Sequence, residues 1–192
     1  MATFAEPQVH LWTRDEYYKM AEVGLFDQKR VELIEGRVIE MSPMGSVHAT
    51  VVTLTARPAE RAFGPAYFVR WQMPFTVSDL SEPEPDVAVI QGNVREYTIA
   101  HPTTAALIVE VAETSLTYDR IEKNSLYARA GIADYWIVNL VNEQVEVYRD
   151  PQPDPEAIYG FSYATMLTLT RGDTIAPLAE AAVEIMIADL LP

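Results

Sequence analysis

Asp86, Glu110 and Lys123 are the residues of this chain whose types and placement could do chemistry together. Asp86 follows Pro85 at the head of one apolar run. Glu110 stands in the middle of another, Leu107-Ile108-Val109-Glu110-Val111, and Lys123 falls on the helix expected next. Two carboxylates and an ammonium of this kind hold a divalent metal and activate water for attack on a phosphodiester. Hard ions such as Mg²⁺ take oxygen ligands and keep several waters, so two or three carboxylates suffice. A lysine alongside orients that water or stabilises the charge growing on the phosphate. Lysine is scarce, with Lys19, Lys29 and Lys123 the only ones in the sequence. Glu110 resists a bland explanation most, because a carboxylate among residues that expect burial is costly unless paired or metal-bound. Pro-Asp pairs are also common in turns and a lone helical lysine is commonly solvated, so spacing alone leaves structural roles open for Asp86 and Lys123. Arg120 lies three positions before Lys123, and on an ordinary helix both turn toward the same side.

The elements that must position these groups can be read from periodicity. Thr13-Arg14-Asp15-Glu16 is a capping box that opens a helix. Val31–Ile34 and Arg37–Met41 flank Glu35-Gly36 as a tight hairpin. A helix is expected from about Ser46 to Phe63, kinked or ended early by Pro58. Tyr67–Met73 and Phe75–Val77 read as strands parted by Pro74, and Ser81–Pro85 as a loop. Asp86–Ile90 and Ala105–Ala112 have the apolar character of central strands. Asp119 with Glu122 suggests a capped helix that places Lys123 in its first turn and ends at Gly131. Tyr135–Val138, Gln144–Tyr148 and Phe161–Leu169 read as strands, Pro151–Pro155 as a surface loop and Val183–Leu191 as a terminal helix. The order predicts a mixed α/β fold with a central sheet. It is read as a single domain over residues 1–192, with a core at about 13–148 and C-terminal strands and a helix over 149–192. Trp136 in its apolar strand is read as core.

Bulk composition narrows the function classes. At 192 residues, 49% hydrophobic and 22% charged, the chain suits a globular protein with one well-buried core. No apolar stretch approaches a membrane span, and Met1–His10 lacks the pattern of a signal peptide. With no cysteine there is no disulfide framework and no thiolate metal site. A cytoplasmic protein without membrane contact is expected. The net charge of −14 runs against binding nucleic acid over a broad surface, since such affinity comes from neutralising phosphates. Any such contact must come from a local patch, bound metal or a partner.

The sequence also resembles a known family. Pro85-Asp86, Val109-Glu110-Val111, Tyr118-Asp119-Arg120, Lys123, the run Leu126-Tyr127-Ala128-Arg129-Ala130-Gly131-Ile132 and Tyr135-Trp136-Ile137-Val138 are similar to the Uma-two family. So are Glu32-Leu33-Ile34-Glu35-Gly36, Met41-Ser42-Pro43 and His48, and the likeness covers roughly Thr13 to Val147. These are bacterial proteins with a PD-(D/E)XK, restriction-endonuclease-like fold, a mixed β-sheet flanked by helices. The resemblance implies that Asp86 and Glu110 bind metal and that Lys123 is the catalytic lysine. The generic motif puts its lysine two residues after the glutamate. Here that position is Ala112, so Lys123 must supply the charge from the next helix. By the same resemblance Glu32 is a further metal ligand or water-orienting base, or else an exposed hairpin carboxylate. His48 and Ser115 become candidates for substrate contact, and Arg120 joins them from its place beside Lys123.

Three functions follow as expectations. The first is an endonuclease dependent on Mg²⁺, with Mn²⁺ as a substitute, that hydrolyses phosphodiester bonds of nucleic acid, DNA foremost, as a homodimer or higher homo-oligomer. The second is a catalytically inactive nuclease-fold module for nucleic-acid or protein binding, which the acidity favours. The third is a metal-dependent hydrolase of small phosphoesters, which would require a closed pocket.

Overall fold

The computed structural model describes residues 8–192, which divide into two compact units. The smaller comprises residues 8–43 and 76–83 and the larger residues 44–75 and 84–192. In the smaller unit, helix α1 (Arg14–Glu22) is opened by the expected capping box, in which the Thr13 side chain and Glu16 satisfy each other's backbone N–H groups. Strands β1 (Val31–Ile34) and β2 (Arg37–Glu40) pair antiparallel. The turn between them puts Glu35 at φ 48° and Gly36 at φ 70°, the pair of left-handed residues that a two-residue hairpin needs. Glu82 is buried in this unit and accepts hydrogen bonds from Arg14, Thr76 and the Tyr18 hydroxyl, with the Arg14 and Thr76 contacts at 3.0 and 2.8 Å.

The larger unit is built on a six-stranded sheet in the order β3 (Tyr67–Arg70), β4 (Val87–Gln91), β5 (Leu107–Ala112), β6 (Asp134–Asn139), β7 (Gln144–Pro153), β8 (Phe161–Leu169). All neighbours are antiparallel except β5 and β6. A parallel pair needs a crossover. It is supplied by one helical segment made of α3 (Leu116–Tyr118), a π-helical turn over Asp119–Lys123 and α4 (Asn124–Arg129).

Alternation along the strands sends one set of side chains to each face. Val87, Val89, Val109, Val111, Trp136, Val138, Val145 and Val147 meet helix α2 (Ser46–Phe63) in one apolar core. Val51, Val52, Thr55, Ala56, Ala59, Ala62 and Phe63 give α2 its buried stripe, at the three-and-four spacing of an amphipathic helix. Glu110, Ile137 and Glu146 fall in one register row on the opposite face. The short strands β9 (Thr174–Ile175) and β10 (Ile185–Met186) pair with each other.

Several boundaries differ from expectation. Helix α2 runs through Pro58 to Phe63, its buried packing offsetting the lost hydrogen bond. Residues 71–77 are not strand, and the backbone turns at Gln72 with φ 52°. Pro151 and Pro153 belong to β7, opposite Tyr163 and Phe161. Their missing N–H groups are tolerated because β6 accompanies β7 only as far as Arg149. The C-terminal segment is β10 followed by a 3₁₀ turn at Ile187–Asp189, not a helix. The helix after β5 begins at Leu116, not at Asp119, so Asp119 caps nothing and lies inside it. Gly131 ends it as expected, at φ 73°. Trp136 is core, 1% exposed. Among the described residues no helix is long and apolar enough to cross a membrane.

Candidate active site

Antiparallel pairing of β4 and β5 sets Val87 opposite Val109, which carries Asp86 alongside Glu110 one step further on. Each carboxylate is held by a backbone N–H from across the pairing. The Asp86 N–H donates to Glu110 Oε2 at 3.1 Å, and the Val111 N–H donates to Asp86 Oδ2 at 2.8 Å. Both carboxylates are buried, at 6% and 5% exposure, so their orientation is fixed by these bonds and not by solvent.

Lys123 reaches the pair from the π-helical turn. Its ammonium is 3.3 Å from Glu110 Oε1 and 3% exposed. Tyr127, one helical turn further on, donates its hydroxyl to the same oxygen at 2.7 Å, and its ring lies 5.8 Å from the lysine Nζ. Asp86 Oδ1 contacts His48 Nε2 and accepts from the Gln72 side-chain amide, each at 3.0 Å. Burial pushes the Asp86 carboxyl up. The His48 hydrogen bond and charge, the Gln72 amide and the Val111 N–H outweigh it and hold the acid below its usual range. Asp86 is thereby kept ionised.

Asp86, Glu110, Lys123 and His48 therefore meet in one place. Arg120 does not join them. Its guanidinium makes a bidentate pair with Glu146, at 2.9 and 2.6 Å, two strands away from Glu110. The π-helical turn explains the correction, because an i→i+5 turn holds more residues than an α-turn and residues three apart no longer stack on one side. Ser115 donates its hydroxyl to Asp119 Oδ2 at 2.6 Å instead of facing the pair. Glu32 sits on β1 of the smaller unit and is 1% exposed, so it is not the solvated hairpin carboxylate considered above.

Gln72 and Tyr127 are the participants that residue spacing missed. Gln72 falls where a strand was expected, and nothing local marks its left-handed backbone. Tyr127 lay in the family-like run without a role, although its place four residues after Lys123 puts both on one side of a helix.

Residues 14–185 match the Uma2 family, whose description is "Putative restriction endonuclease". The chain belongs to this family. A crystal structure of "a putative nuclease belonging to DUF820" from Anabaena variabilis is similar over 93% of this chain and 96% of that one, with a TM-score of 0.71 and 17% identity. At that identity the likeness speaks for the fold, and it bears out the restriction-endonuclease-like sheet flanked by helices. No curated protein matches the chain. Uma2 membership carries nuclease chemistry in general, and which residues perform it here must be argued from the geometry above.

That geometry suits a hard cation in its donor chemistry. Two buried, acceptor-only carboxylates stand side by side, and hard divalent ions prefer such oxygens. Among the described residues no group of three or more His, Asp or Glu is placed to hold an ion. Waters or substrate oxygens would have to complete the shell, as Mg²⁺ sites commonly allow.

Proposed function

We propose that the chain is a metal-dependent endonuclease that hydrolyses phosphodiester bonds of nucleic acid, DNA foremost. The observation that carries this reading is the pair of buried carboxylates Asp86 and Glu110, held by the Val111 and Asp86 N–H groups, with the buried Lys123 ammonium 3.3 Å from Glu110. Asp86 and Glu110 would hold Mg²⁺, or Mn²⁺ in its place, and such an ion polarises a phosphoryl oxygen and lowers the pKa of water.

The chain's own groups do the rest. His48 and Gln72 aim Asp86 and favour its ionised form. Tyr127 fixes the Glu110 carboxylate by donating to Oε1, the oxygen nearest Lys123. Lys123 sets a positive charge beside the pair in a water-poor setting, where it stabilises negative charge developing on a phosphate more strongly than it would in water. Arg120 and Ser115 bond to Glu146 and Asp119 and serve the fold of the helical segment. Glu32 is proposed separately as a further carboxylate of the reaction, to be tested by Glu32→Gln.

Incubation of purified protein with supercoiled plasmid in Mg²⁺ or Mn²⁺, beside Asp86→Ala prepared identically, tests the reading. Nicking that needs metal and disappears in the variant is the expected result. Equal nicking by both proteins would refute the site. The net charge of −14 favours a second reading, an inactive nuclease-fold binding module, and absence of metal-dependent cleavage on plasmid and single strands alike would select it.

A further inference from the structure

In the two segments that bring His48 and Gln72 to Asp86, His48 is the one side chain that can carry charge. Residues 44–56 and 71–75 contain no Asp, Glu, Lys or Arg, in a chain whose net charge is −14. Exposed apolar side chains stand there instead: Met44 and Trp71 at 38%, Val47 at 48% and Met73 at 50%. Met44 touches a group of the site, and the other three are chain neighbours of its residues. Val47 precedes His48, and Trp71 and Met73 flank Gln72. The Gln72 amide nitrogen that lies 3.0 Å from Asp86 Oδ1 is also 3.8 Å from the Met44 sulfur.

Trp71 contrasts with Trp136. The latter is buried and donates its indole N–H to Asp134 at 2.7 Å. Among the described residues the Trp71 indole has no hydrogen bond and no ring contact.

We infer that Met44, Val47, Trp71 and Met73 form a ledge for the unpaired bases of a nucleic-acid strand whose phosphodiester lies at Asp86 and Glu110, so that the substrate class is single-stranded or locally unpaired. This rests on the nuclease reading of that pair. The exposed Trp71 ring selects the occupant. Duplex binding draws its affinity from neutralised phosphates, and neither ledge segment supplies a lysine or arginine. Base stacking on an aromatic ring needs no cation and tolerates any sequence, because every base has a π-face. A paired base keeps its faces inside the helix and cannot use Trp71.

Fluorescence anisotropy with a fluorescein-labelled 20-nucleotide strand, in EDTA so that nothing is cut, tests the inference. The same strand as a blunt duplex and an abasic strand of equal phosphate count are measured alongside. The intact single strand is expected to bind about tenfold tighter than either control, and Trp71→Ala to remove about tenfold of that affinity. Trp71→Phe should retain most of it, and the salt dependence should be shallow for the number of phosphates spanned. Equal affinity for duplex or abasic strand, an unaffected Trp71→Ala, or no binding of the single strand would overturn the ledge. Asp86-dependent plasmid nicking is read independently. Nicking with no Trp71 effect leaves the nuclease reading standing without the ledge. Trp71-dependent binding with no cleavage of any substrate leaves the ledge standing and removes the nuclease.

Discussion

Two buried glutamates occupy one row of the same sheet and have opposite characters. Glu110 on β5 and Glu146 on β7 both register with Ile137 of β6, roughly 10 Å apart by strand spacing, and each sits between two valines in sequence. Glu146 is closed. Its two oxygens accept from Arg120 twice, Asn139, Gln144 and Tyr148, at 2.6–3.2 Å. Burial pushes its carboxyl up, but Arg120, then Asn139, Tyr148 and Gln144, bring it down to about 2. Glu110 instead lies against a second carboxylate, Asp86, and meets a buried lysine and a tyrosine hydroxyl. A saturated carboxylate stabilises a fold. A carboxylate set beside another of like charge retains a reason to bind a cation. The helical segment crossing that face makes the distinction, sending Arg120 to one glutamate and Lys123 to the other.

The sharpest way to break this contrast is to neutralise each glutamate in turn. Glu110→Gln should lower metal-dependent cleavage by about a hundredfold or more, the scale of losing one electrostatic element of a site. Glu146→Gln should lower unfolding free energy by on the order of 2–3 kcal/mol in urea titrations, since a buried ion pair loses one partner while the half-exposed Arg120 remains solvated. Its cleavage rate, measured well below its melting temperature, should stay within about threefold of wild type.

Acid sharpens the same comparison. Glu146 has its pKa lowered from 4.5 to about 2, so its contribution is fully present above pH 4.5 and is lost as pH falls toward 2. Wild type should lose on the order of 2 kcal/mol across that window through this group, and urea titrations of Glu146→Gln should show a correspondingly shallower acid slope. Asp86, also depressed, adds loss of the same sign below its usual range in both proteins. The smallest effect concerns Tyr127→Phe, which removes a hydrogen bond to charged Glu110 and should cost about 1.5 kcal/mol of stability.

Much of the frame was legible in sequence because it rests on local rules. The Thr13 capping box, the Glu35-Gly36 turn, the stop at Gly131 and strand β8 all follow from nearest-neighbour chemistry. Asp86 with Glu110 was legible because a carboxylate inside an apolar strand demands a partner. By that same logic Val145-Glu146-Val147 should have drawn equal notice, and only tertiary structure shows that its partners are Arg120, Asn139, Gln144 and Tyr148. Asp119 misled because an Asp-x-x-Glu signature is satisfied equally well inside a helix that began a turn earlier. The π-helical turn and the left-handed Gln72 leave no periodic trace, so the destinations of Arg120 and of the Gln72 amide were not readable. Pro151 and Pro153 were misread because their tolerance depends on where β6 ends.

The central claim is that Glu110 serves chemistry and Glu146 serves the fold. The most direct measurement is Mg²⁺-dependent cleavage of supercoiled plasmid and of circular single-stranded DNA by wild type, Glu110→Gln and Glu146→Gln, each first shown to be folded by circular dichroism. Cleavage by wild type and Glu146→Gln, with none by a folded Glu110→Gln, is the predicted result. A Glu110→Gln protein that cuts like wild type, or a folded Glu146→Gln protein that does not cut, would contradict it.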